Sequence, residues 1–325
     1  MAERKNYLYG PVPSRRLGRS LGVDIVPFKV CSLDCIYCQL GRTLEKTVER
    51  RDYAPIESVL AELKQALAEH IEVDYISIAG SGEPTLHARL GELIDGMKEV
   101  TDIPIAIITN GTLLYRPDVR TDCAKADVVI PSLDAADEET FRRINCPCQG
   151  ISIGKVISGL CAFREEFAGR IWLEVFVVEG INTGRDQIAG IREAIERIRP
   201  DKVQLNTAVR PTADPGVRRL DAETLHQIAA LLGPRCEVVA DLLPAHPQAL
   251  IDKEPQSTPG PPAATSSTAQ TLLSMLKRRP CSLNDIRASL GLSRDEVLKH
   301  LSDLQNQGLI QSENRGTGTF YKASP

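Results

Sequence analysis

This sequence has few of the features that would place it in a specialised class of protein. Of its 325 residues only 4% are aromatic and one is tryptophan, and the formal net charge is only −4. A chain that coats nucleic acid through charge alone would need a large positive excess. No apolar run approaches the roughly 18 residues of a membrane-spanning helix, and Met1–Lys5 lacks the apolar stretch of a signal peptide. We therefore expect a cytoplasmic chain of about two domains that makes no membrane contact.

Short β-branched runs alternate with amphipathic segments over much of the chain, which predicts six strand–helix units. The predicted strands are Val23–Val26, Tyr75–Ala79, Ile105–Thr109, Val128–Leu133, Ile171–Val178 and Lys202–Asn206. The predicted helices are Ile56–Ala68, Leu90–Val100, Pro117–Lys125, Ile153–Phe167, Asp186–Arg199 and Asp221–Leu232. Most of the strands are apolar throughout, as expected of parallel strands covered on both faces. This pattern predicts an α/β fold, but periodicity alone leaves open whether the sheet is doubly wound or curved like a barrel.

The composition changes twice after residue 243. Residues 244–266 are rich in proline, serine and alanine, which predicts an extended linker between a core of residues 1–243 and a domain of residues 267–325. In that last domain we predict helices at Ala269–Arg278, Leu283–Leu290 and Arg294–Gln307, and a hairpin of Leu309–Glu313 with Thr319–Lys322. Three short helices and a hairpin describe a small α+β winged helix-turn-helix domain.

The winged helix could have more than one kind of partner. It carries eight Lys and Arg residues against five Asp and Glu, a net charge of +3. Ser293 and Glu296 have the spacing of a capping box at the start of the second helix of the helix-turn-helix, whose exposed face would carry Arg294 and Lys299. Nucleic acid, either tRNA or DNA, and a peptide or protein both remain open as partners.

Nine cysteines are unlikely to form disulfides in a reducing compartment, and three of them are closely spaced. Cys31, Cys35 and Cys38 follow the first predicted strand, where parallel α/β folds place their chemistry. Three thiolates can hold one side of a metal centre. A structural zinc site needs a fourth ligand from elsewhere, and a cubane iron–sulfur cluster held by three cysteines leaves one iron open. Packing as small apolar residues is the alternative without a metal.

The CxxxCxxC spacing, with Tyr37 just before the last cysteine, resembles the hallmark of the radical SAM superfamily. The resemblance implies that the three cysteines hold a [4Fe-4S] cluster whose open iron binds S-adenosylmethionine. It implies reductive cleavage of that cofactor to a 5′-deoxyadenosyl radical, which acts on an unknown substrate, and an electron donor of the flavodoxin or ferredoxin type. It also implies that the core is a partial (βα)6 TIM-like barrel.

Further motifs at predicted strand ends resemble the cofactor-binding segments of that superfamily. Glu83 ends a segment similar to the GGE motif, which binds the methionine amine, although Ser81 replaces a glycine there. A tight turn capped by Glu83 is the alternative interpretation. The candidate cofactor-binding residues are Tyr37, Gly80, Ser81, Gly82, Glu83, Asn110, Ser132, Glu174 and Asn206. For Asn206 a purely structural amide is an equally good interpretation.

The segment Tyr9–Asp24 carries a narrower resemblance. It is similar to a group of uncharacterised Fe–S oxidoreductases described as resembling wyosine-type tRNA-modifying enzymes. Its arginines, Arg15, Arg16 and Arg19, suit a carboxylate or phosphate, or else form salt bridges on an extension before the barrel.

Two further cysteines, Cys146 and Cys148, stand close together in the sequence. They could help to hold an auxiliary cluster, although free thiols are the simpler expectation.

The alternative to an enzyme is a non-catalytic iron–sulfur transcription regulator that uses the winged helix. Glu83 and the other cofactor-binding motifs favour the enzyme, because a redox sensor needs no methionine pocket.

Overall fold

The computed structural model of the chain describes residues 7–240, 268–315 and 318–324. These residues form two compact units, one of residues 7–208 and 212–240 and the other of residues 209–211 and 268–324. The expected proline-rich linker, residues 244–266, lies outside the described residues. In the described part of the chain, no helix is both long and apolar enough to cross a membrane.

The first unit alternates strands and helices. Its strands are β1 (Leu8–Ser14), β2 (Gly18–Val23), β3 (Val30–Cys31), β4 (Glu45–Lys46), β5 (Tyr75–Ile78), β6 (Ile105–Thr109), β7 (Val128–Pro131), β8 (Arg170–Val177), β9 (Lys202–Thr207) and β10 (Cys236–Val238). Its helices are α1 (Ile56–Ala68), α2 (Leu90–Val100), α3 (Pro117–Cys123), α4 (Glu138–Asn145), α5 (Ile153–Glu166), α6 (Arg185–Ile198) and α7 (Ala222–Leu232), with a 3₁₀ turn at Pro84–Leu86. Asp137, Ser152 and Asp221 cap α4, α5 and α7 by accepting a hydrogen bond from the first turn.

Eight strands form one sheet in the order β1-β2-β5-β6-β7-β8-β9-β10. Every neighbouring pair from β2 onwards is parallel, and β1 pairs with β2 in the antiparallel sense. Consecutive helices contact one another from α1 to α3 and from α4 to α7, so the helices form a layer over one face. A doubly wound sheet would divide its helices between both faces. The core is therefore the partial barrel that the resemblance implied.

The turn between β1 and β2 covers part of the concave face of this sheet. Leu17 packs there with Val128 and Trp172, near the amino ends of β7 and β8. Because the hairpin fills the interior at the amino ends of the strands, the opposite edge is left for functional side chains. This is the edge at which parallel barrels carry their sites.

The predicted first strand, Val23–Val26, is wrong. The first parallel strand is Gly18–Val23, and the antiparallel β1 precedes it. Glycine and polar residues interrupt the apolar pattern by which this strand could be recognised in the sequence. One of them, Ser20, is buried in the sheet, where its hydroxyl donates a hydrogen bond to Ser77 Oγ over 2.8 Å. The three-residue β10 was also missed, since so short a strand has no recognisable period.

The second unit has the predicted winged-helix architecture. Its elements are α8 (Thr268–Arg278), β11 (Cys281–Ser282), α9 (Leu283–Leu290), α10 (Arg294–Asn306), β12 (Ile310–Arg315) and β13 (Gly318–Ala323). The three strands form a sheet in the order β11-β13-β12, in which β11 had not been predicted. Ser293 and Glu296 form the predicted capping box at the start of α10.

Candidate metal centre

The three closely spaced cysteines lie on one loop beyond the carboxyl end of β2. The loop includes β3, which pairs in parallel with β4, and it turns where the Cys38 N–H donates to the Cys35 carbonyl oxygen over 3.1 Å. All three side chains are partly shielded from solvent. The structure thus places the three candidate ligands Cys31, Cys35 and Cys38 together at the functional edge of the barrel.

Each of the three sulfur atoms has an N–H donor from a neighbouring residue. The donor-to-sulfur distances are 3.5 Å from Leu33 N and 3.5 Å from Asn110 Nδ2 to Cys31 Sγ, 3.5 Å from Asn145 Nδ2 to Cys35 Sγ, and 3.0 Å from Lys29 Nζ to Cys38 Sγ. Such donors stabilise negative charge on sulfur, and small apolar residues packed in a core would not need them. This donor set fits an anionic centre and weighs against simple packing of three thiols.

Burial keeps the thiols of Cys31 and Cys35 protonated. It raises the pKa of Cys31 to about 12, and the carboxylate of Glu83 is the next largest cause. The pKa of Cys35 is also raised well above its usual value, first by burial and then by the neighbouring Cys31. Since metal ligands must be thiolates, loading this site releases protons, and the bound metal supplies the positive charge that replaces them.

Within the described residues, no three His, Cys, Asp or Glu side chains converge on the position of a single metal ion. A zinc site completed by a distant Cys or His would require such convergence. A cubane cluster makes a different demand, because its cysteine ligands stand around a body of four irons rather than around one point. The three cysteines of the loop could therefore hold three corners of a [4Fe-4S] cluster.

The Gly80–Glu83 segment is hydrogen-bonded to the start of the cysteine loop. The Lys29 N–H donates to the Ser81 carbonyl oxygen over 2.8 Å, and the Glu83 N–H donates to the Val30 carbonyl oxygen over 3.0 Å. These two hydrogen bonds hold the start of the cysteine loop against the Gly80–Glu83 segment. The motif thus supports the loop that carries the cysteines.

Gly80 and Gly82 are required by this close packing. A Cβ atom on Gly82 would lie 2.5 Å from the carbonyl oxygen of Val30 and 2.9 Å from that of Pro27. Gly80 has a φ of +153° and sits against Asp24, whose Oδ2 accepts a hydrogen bond from the Ser81 hydroxyl over 2.6 Å. The two glycines therefore leave room for the backbone of the cysteine loop and for the side chain of Asp24.

Glu83 is a buried carboxylate with four donors. Its Oε1 accepts hydrogen bonds from Thr85 N over 3.0 Å, Thr85 Oγ1 over 2.6 Å and Thr109 Oγ1 over 2.6 Å, and its Oε2 accepts one from Asn110 N over 2.8 Å. Burial raises the pKa of this carboxyl, and the hydrogen bonds act in the opposite direction. The bond from Thr85 N also makes Glu83 the cap of the 3₁₀ turn. Its Oε2, with a single donor, keeps the greater capacity to accept a further one.

Asn110 connects Glu83 to the cysteine loop. Besides its backbone bond to Glu83, its Nδ2 donates to Ser32 Oγ over 2.9 Å and lies 3.5 Å from Cys31 Sγ. Its Oδ1 accepts a hydrogen bond from Thr112 N over 3.0 Å, which fixes the orientation of the amide. Sequence reasoning selected Asn110 but missed Ser32 and Thr112, which hold it in place.

Tyr37 belongs to a second network beside the cysteines. Its ring stacks on Phe176 with centroids 3.9 Å apart, and its hydroxyl donates to Asp134 Oδ2 over 2.5 Å. Asn145 Nδ2 donates to the same Asp134 oxygen over 2.7 Å while lying near Cys35 Sγ. Burial raises the pKa of Asp134 to about 6. The network ties the aromatic residue of the cysteine motif to the thiol of Cys35 through a buried acid and an amide.

A small cavity opens between the two networks. Asn110 and Ser132, both candidate cofactor residues, line it together with Asp134 and Asn145, which were not selected as site residues. Asn145 Oδ1 is buried without a hydrogen-bond partner in the described part of the chain. Asp134 could have been found from its place two residues after Ser132 at the end of β7, whereas Asn145 gives no comparable signal.

Glu174 faces Arg16 inside the barrel. Arg16 Nη2 and Nη1 bind the two oxygens of Glu174 over 2.6 and 3.1 Å, and Asn206 Nδ2 donates to Glu174 Oε1 over 3.0 Å. Ser132 forms a β-bridge to the backbone of Glu174. Three of the candidate cofactor residues are thus neighbours, and Arg16 is salt-bridged.

The arginines of the Tyr9–Asp24 segment have three different partners. Arg15 Nη1 donates to the carbonyl oxygen of Val239 over 3.0 Å, whereas Arg16 pairs with Glu174. Arg19 forms an exposed ion pair with Glu72 over 3.3 Å. Among the described residues, the contacts given for these three guanidinium groups are therefore to different residues.

Cys146 and Cys148 belong to a segment that lies against the cysteine loop. The Cys148 N–H donates to the Ser32 carbonyl oxygen over 2.9 Å, and Asp34 N donates to the carbonyl oxygen of Asn145 over 3.0 Å. Among the residues that the structure describes, no group of three metal-binding side chains includes either cysteine. The backbone on either side of Cys146 thus supports the cysteine loop.

Comparison with known proteins gives matches over both units. A family model described as the radical SAM superfamily matches residues 25–190, and the model of a bacterial regulatory protein of the arsR family matches residues 266–312. The chain is 37% identical over 306 residues to a GTPase Obg of Brachyspira hyodysenteriae, covering 94% of this chain and 43% of that protein. The chain thus spans less than half the length of that relative.

Two further proteins resemble the core. A UPF0026 protein of Methanocaldococcus jannaschii is 36% identical over 225 residues, covering 69% of this chain and 70% of that protein. The solved structure of TYW1 with a lysine-pyruvate adduct bound aligns with a TM-score of 0.51 at 21% identity, covering 67% of this chain and 74% of that one. At that identity the likeness concerns the fold alone.

Proposed function

The chain belongs to the radical SAM superfamily, and we propose that it cleaves S-adenosylmethionine reductively at a [4Fe-4S] cluster held by Cys31, Cys35 and Cys38. When bound, the cluster would pass one electron to the sulfonium, breaking the S–C5′ bond to give methionine and a 5′-deoxyadenosyl radical that abstracts hydrogen from a substrate. One observation carries the proposal: three thiols on one loop, each with an N–H donor.

The residues around the loop would bind and orient the cofactor. Glu83 Oε2, which accepts a single hydrogen bond from Asn110, would accept one from the methionine ammonium. Asn110 and Ser132 would offer polar atoms from the walls of the small cavity. Glu174 would act by holding Asn206 in position, because its own carboxylate is bound by Arg16.

The test uses the full chain, reconstituted anaerobically with iron and sulfide. With S-adenosylmethionine and dithionite we expect 5′-deoxyadenosine to form, because uncoupled cleavage needs no substrate. Without dithionite none should form, since the step consumes one electron. A reconstituted protein that shows a cluster but yields no 5′-deoxyadenosine would contradict the proposal and favour the non-catalytic regulator.

We also propose that the winged-helix unit binds nucleic acid, tRNA or DNA. The match to an arsR-family regulatory protein supports this, as do the exposed Arg294 and Lys299 on α10. A helix in this position of a helix-turn-helix enters the major groove of a duplex. The bound nucleic acid would be either the substrate or a regulatory site.

Removing one exposed charge from α10 should weaken this binding. Lys299→Ala should lower the affinity for a labelled duplex DNA or for tRNA, and reduce the slope of log Kd against log salt concentration by about 1. Lys277→Ala, which removes an exposed charge from α8, is the matched control and should leave that slope unchanged. Fluorescence anisotropy at several salt concentrations measures both. Equal slopes for the two variants would favour a peptide partner.

A further inference from the structure

Lys29 is a buried cation beside the candidate cluster. The residue is 4% exposed, and its Nζ lies 3.0 Å from Cys38 Sγ. Lysine is rarely buried to this extent without an anionic partner. In the described part of the chain, the hydrogen bond from Nζ goes to this sulfur, and none of the ion pairs involves Lys29. We therefore expect the anionic partner of this ammonium group to be a thiolate of the cysteine loop.

The backbone holds Lys29 in a conformation that lysine seldom adopts. Its φ is +59°, in the left-handed region. Three hydrogen bonds maintain it: the Lys29 N–H donates to the Ser81 carbonyl oxygen over 2.8 Å, and the Lys29 carbonyl oxygen accepts from Leu44 N over 3.0 Å and Glu45 N over 3.2 Å. Strain that is held in this way by the surrounding structure is typical of functional positions.

Lys29 also differs in charge from the other donors to the three sulfur atoms. Those donors are the backbone of Leu33 and the amides of Asn110 and Asn145, which are neutral. Among the described donors to these sulfur atoms, Lys29 is therefore the one that carries a positive charge.

We propose that the ammonium group of Lys29 raises the reduction potential of the cluster held by Cys31, Cys35 and Cys38. The inference rests on the proposed function. Reduction adds one electron from an external one-electron donor and makes the site more negative by one charge. A fixed cation at a ligand sulfur, shielded from water, stabilises that added charge more than it stabilises the oxidised state. Lys29 would thus favour the state from which S-adenosylmethionine is cleaved.

The test is a redox titration of the full chain, reconstituted and without S-adenosylmethionine. The electron paramagnetic resonance signal of the reduced cluster is followed against potential. Lys29→Met and Lys29→Gln should lower the equilibrium constant for reduction at least tenfold, a shift of about −59 mV for one electron. Lys29→Arg, which keeps the charge, should stay within about threefold of wild type.

Lys46→Met is the matched control. Lys46 is exposed, lies opposite Cys31 in the β3–β4 pair, and donates to the carbonyl oxygen of Cys146 over 3.2 Å. The substitution removes the same charge close to the loop but in contact with water, so the equilibrium constant for reduction should stay within about threefold of wild type. Circular dichroism melting of each apo variant establishes that the fold is retained.

The outcomes separate the inference from the proposed function. If wild-type protein assembles no cluster, the proposed function fails and the inference fails with it. If the cluster assembles and Lys29→Met titrates like Lys46→Met, only the inference is wrong. It is also wrong if Lys29→Gln matches wild type, because a hydrogen bond would then replace the charge. If only the Lys29→Arg variant retains a cluster, Lys29 serves assembly, and the inference is again wrong.

Discussion

Replacing Cys35 by alanine should abolish the formation of 5′-deoxyadenosine. Only three thiols stand on the loop, and removal of the central one leaves two ligands on a [4Fe-4S] cluster whose fourth iron is reserved for S-adenosylmethionine. Changes to groups that merely orient metal ligands cost about 10- to 100-fold in affinity or activity. Loss of a ligand itself should exceed that, so we expect more than about a 100-fold drop, together with most of the bound iron. Chromatographic measurement of 5′-deoxyadenosine and iron analysis after reconstitution check both.

Cys161→Ala provides the control for this substitution. Cys161 is partly exposed on α5, outside the cysteine loop, and removing its thiol makes the same chemical change. It should keep wild-type iron content and activity. Undiminished 5′-deoxyadenosine from the Cys35→Ala protein would remove Cys35 from the ligand set. A loss of activity in both variants would show only that the protein tolerates cysteine changes poorly.

The sequence predicted the buried parts of the barrel best. The bounds of α1 and β6 agree with those predicted, Ile56–Ala68 and Ile105–Thr109. Such segments carry an uninterrupted period because one face, or both, is covered by the core. At β2 the period is broken by Gly18, Arg19 and Gly22, and only pairing with β1 and β5 makes this segment a strand. Tertiary pairing of this kind leaves no local pattern.

The residues of the candidate site are likewise of two kinds, those that a local sequence motif identifies and those that only the fold brings together. Cysteine spacing, Glu83 and Asn110 could be selected because each stands in a short motif after a strand. Asp134 and Asn145 join the site through a hydrogen bond to each other and through contacts with Tyr37 and Cys35, about a hundred residues earlier. Lysine and asparagine are common on protein surfaces. The local sequence therefore does not distinguish a lysine or asparagine that donates to sulfur, such as Lys29 or Asn145, from one whose side chain is solvated.

Glu174 has a partner within the protein that the sequence did not identify. The superfamily resemblance made Glu174 a candidate cofactor-binding residue. The structure supplies Arg16, from a turn more than a hundred residues earlier. The arginine-rich segment and the acid on β8 were separate features of the sequence. In the structure an ion pair between Arg16 and Glu174 connects them, and it attaches the β1–β2 hairpin to the interior of the barrel.

Removing Arg16 should destabilise the first unit by about 3 kcal/mol. The side chains of Arg16 and Glu174 are 18% and 12% exposed and form a bidentate salt bridge. Loss of one partner from such a buried pair leaves an uncompensated charge, whereas replacing both by apolar residues is often tolerated. Arg16→Met should therefore cost more than the double substitution Arg16→Met with Glu174→Met. Urea unfolding followed by fluorescence measures this.

The single tryptophan makes the measurement specific to the barrel. Trp172 packs against Leu17, the residue after Arg16, so its emission reports on the hairpin and the barrel interior together. Arg19→Met serves as the control, because the ion pair of Arg19 with Glu72 is exposed and such pairs contribute about 1 kcal/mol at most. If Arg16→Met unfolds at the same urea concentration as Arg19→Met, the pair does not fasten the hairpin. The apolar packing of Leu17 would then be sufficient to close the barrel on its own.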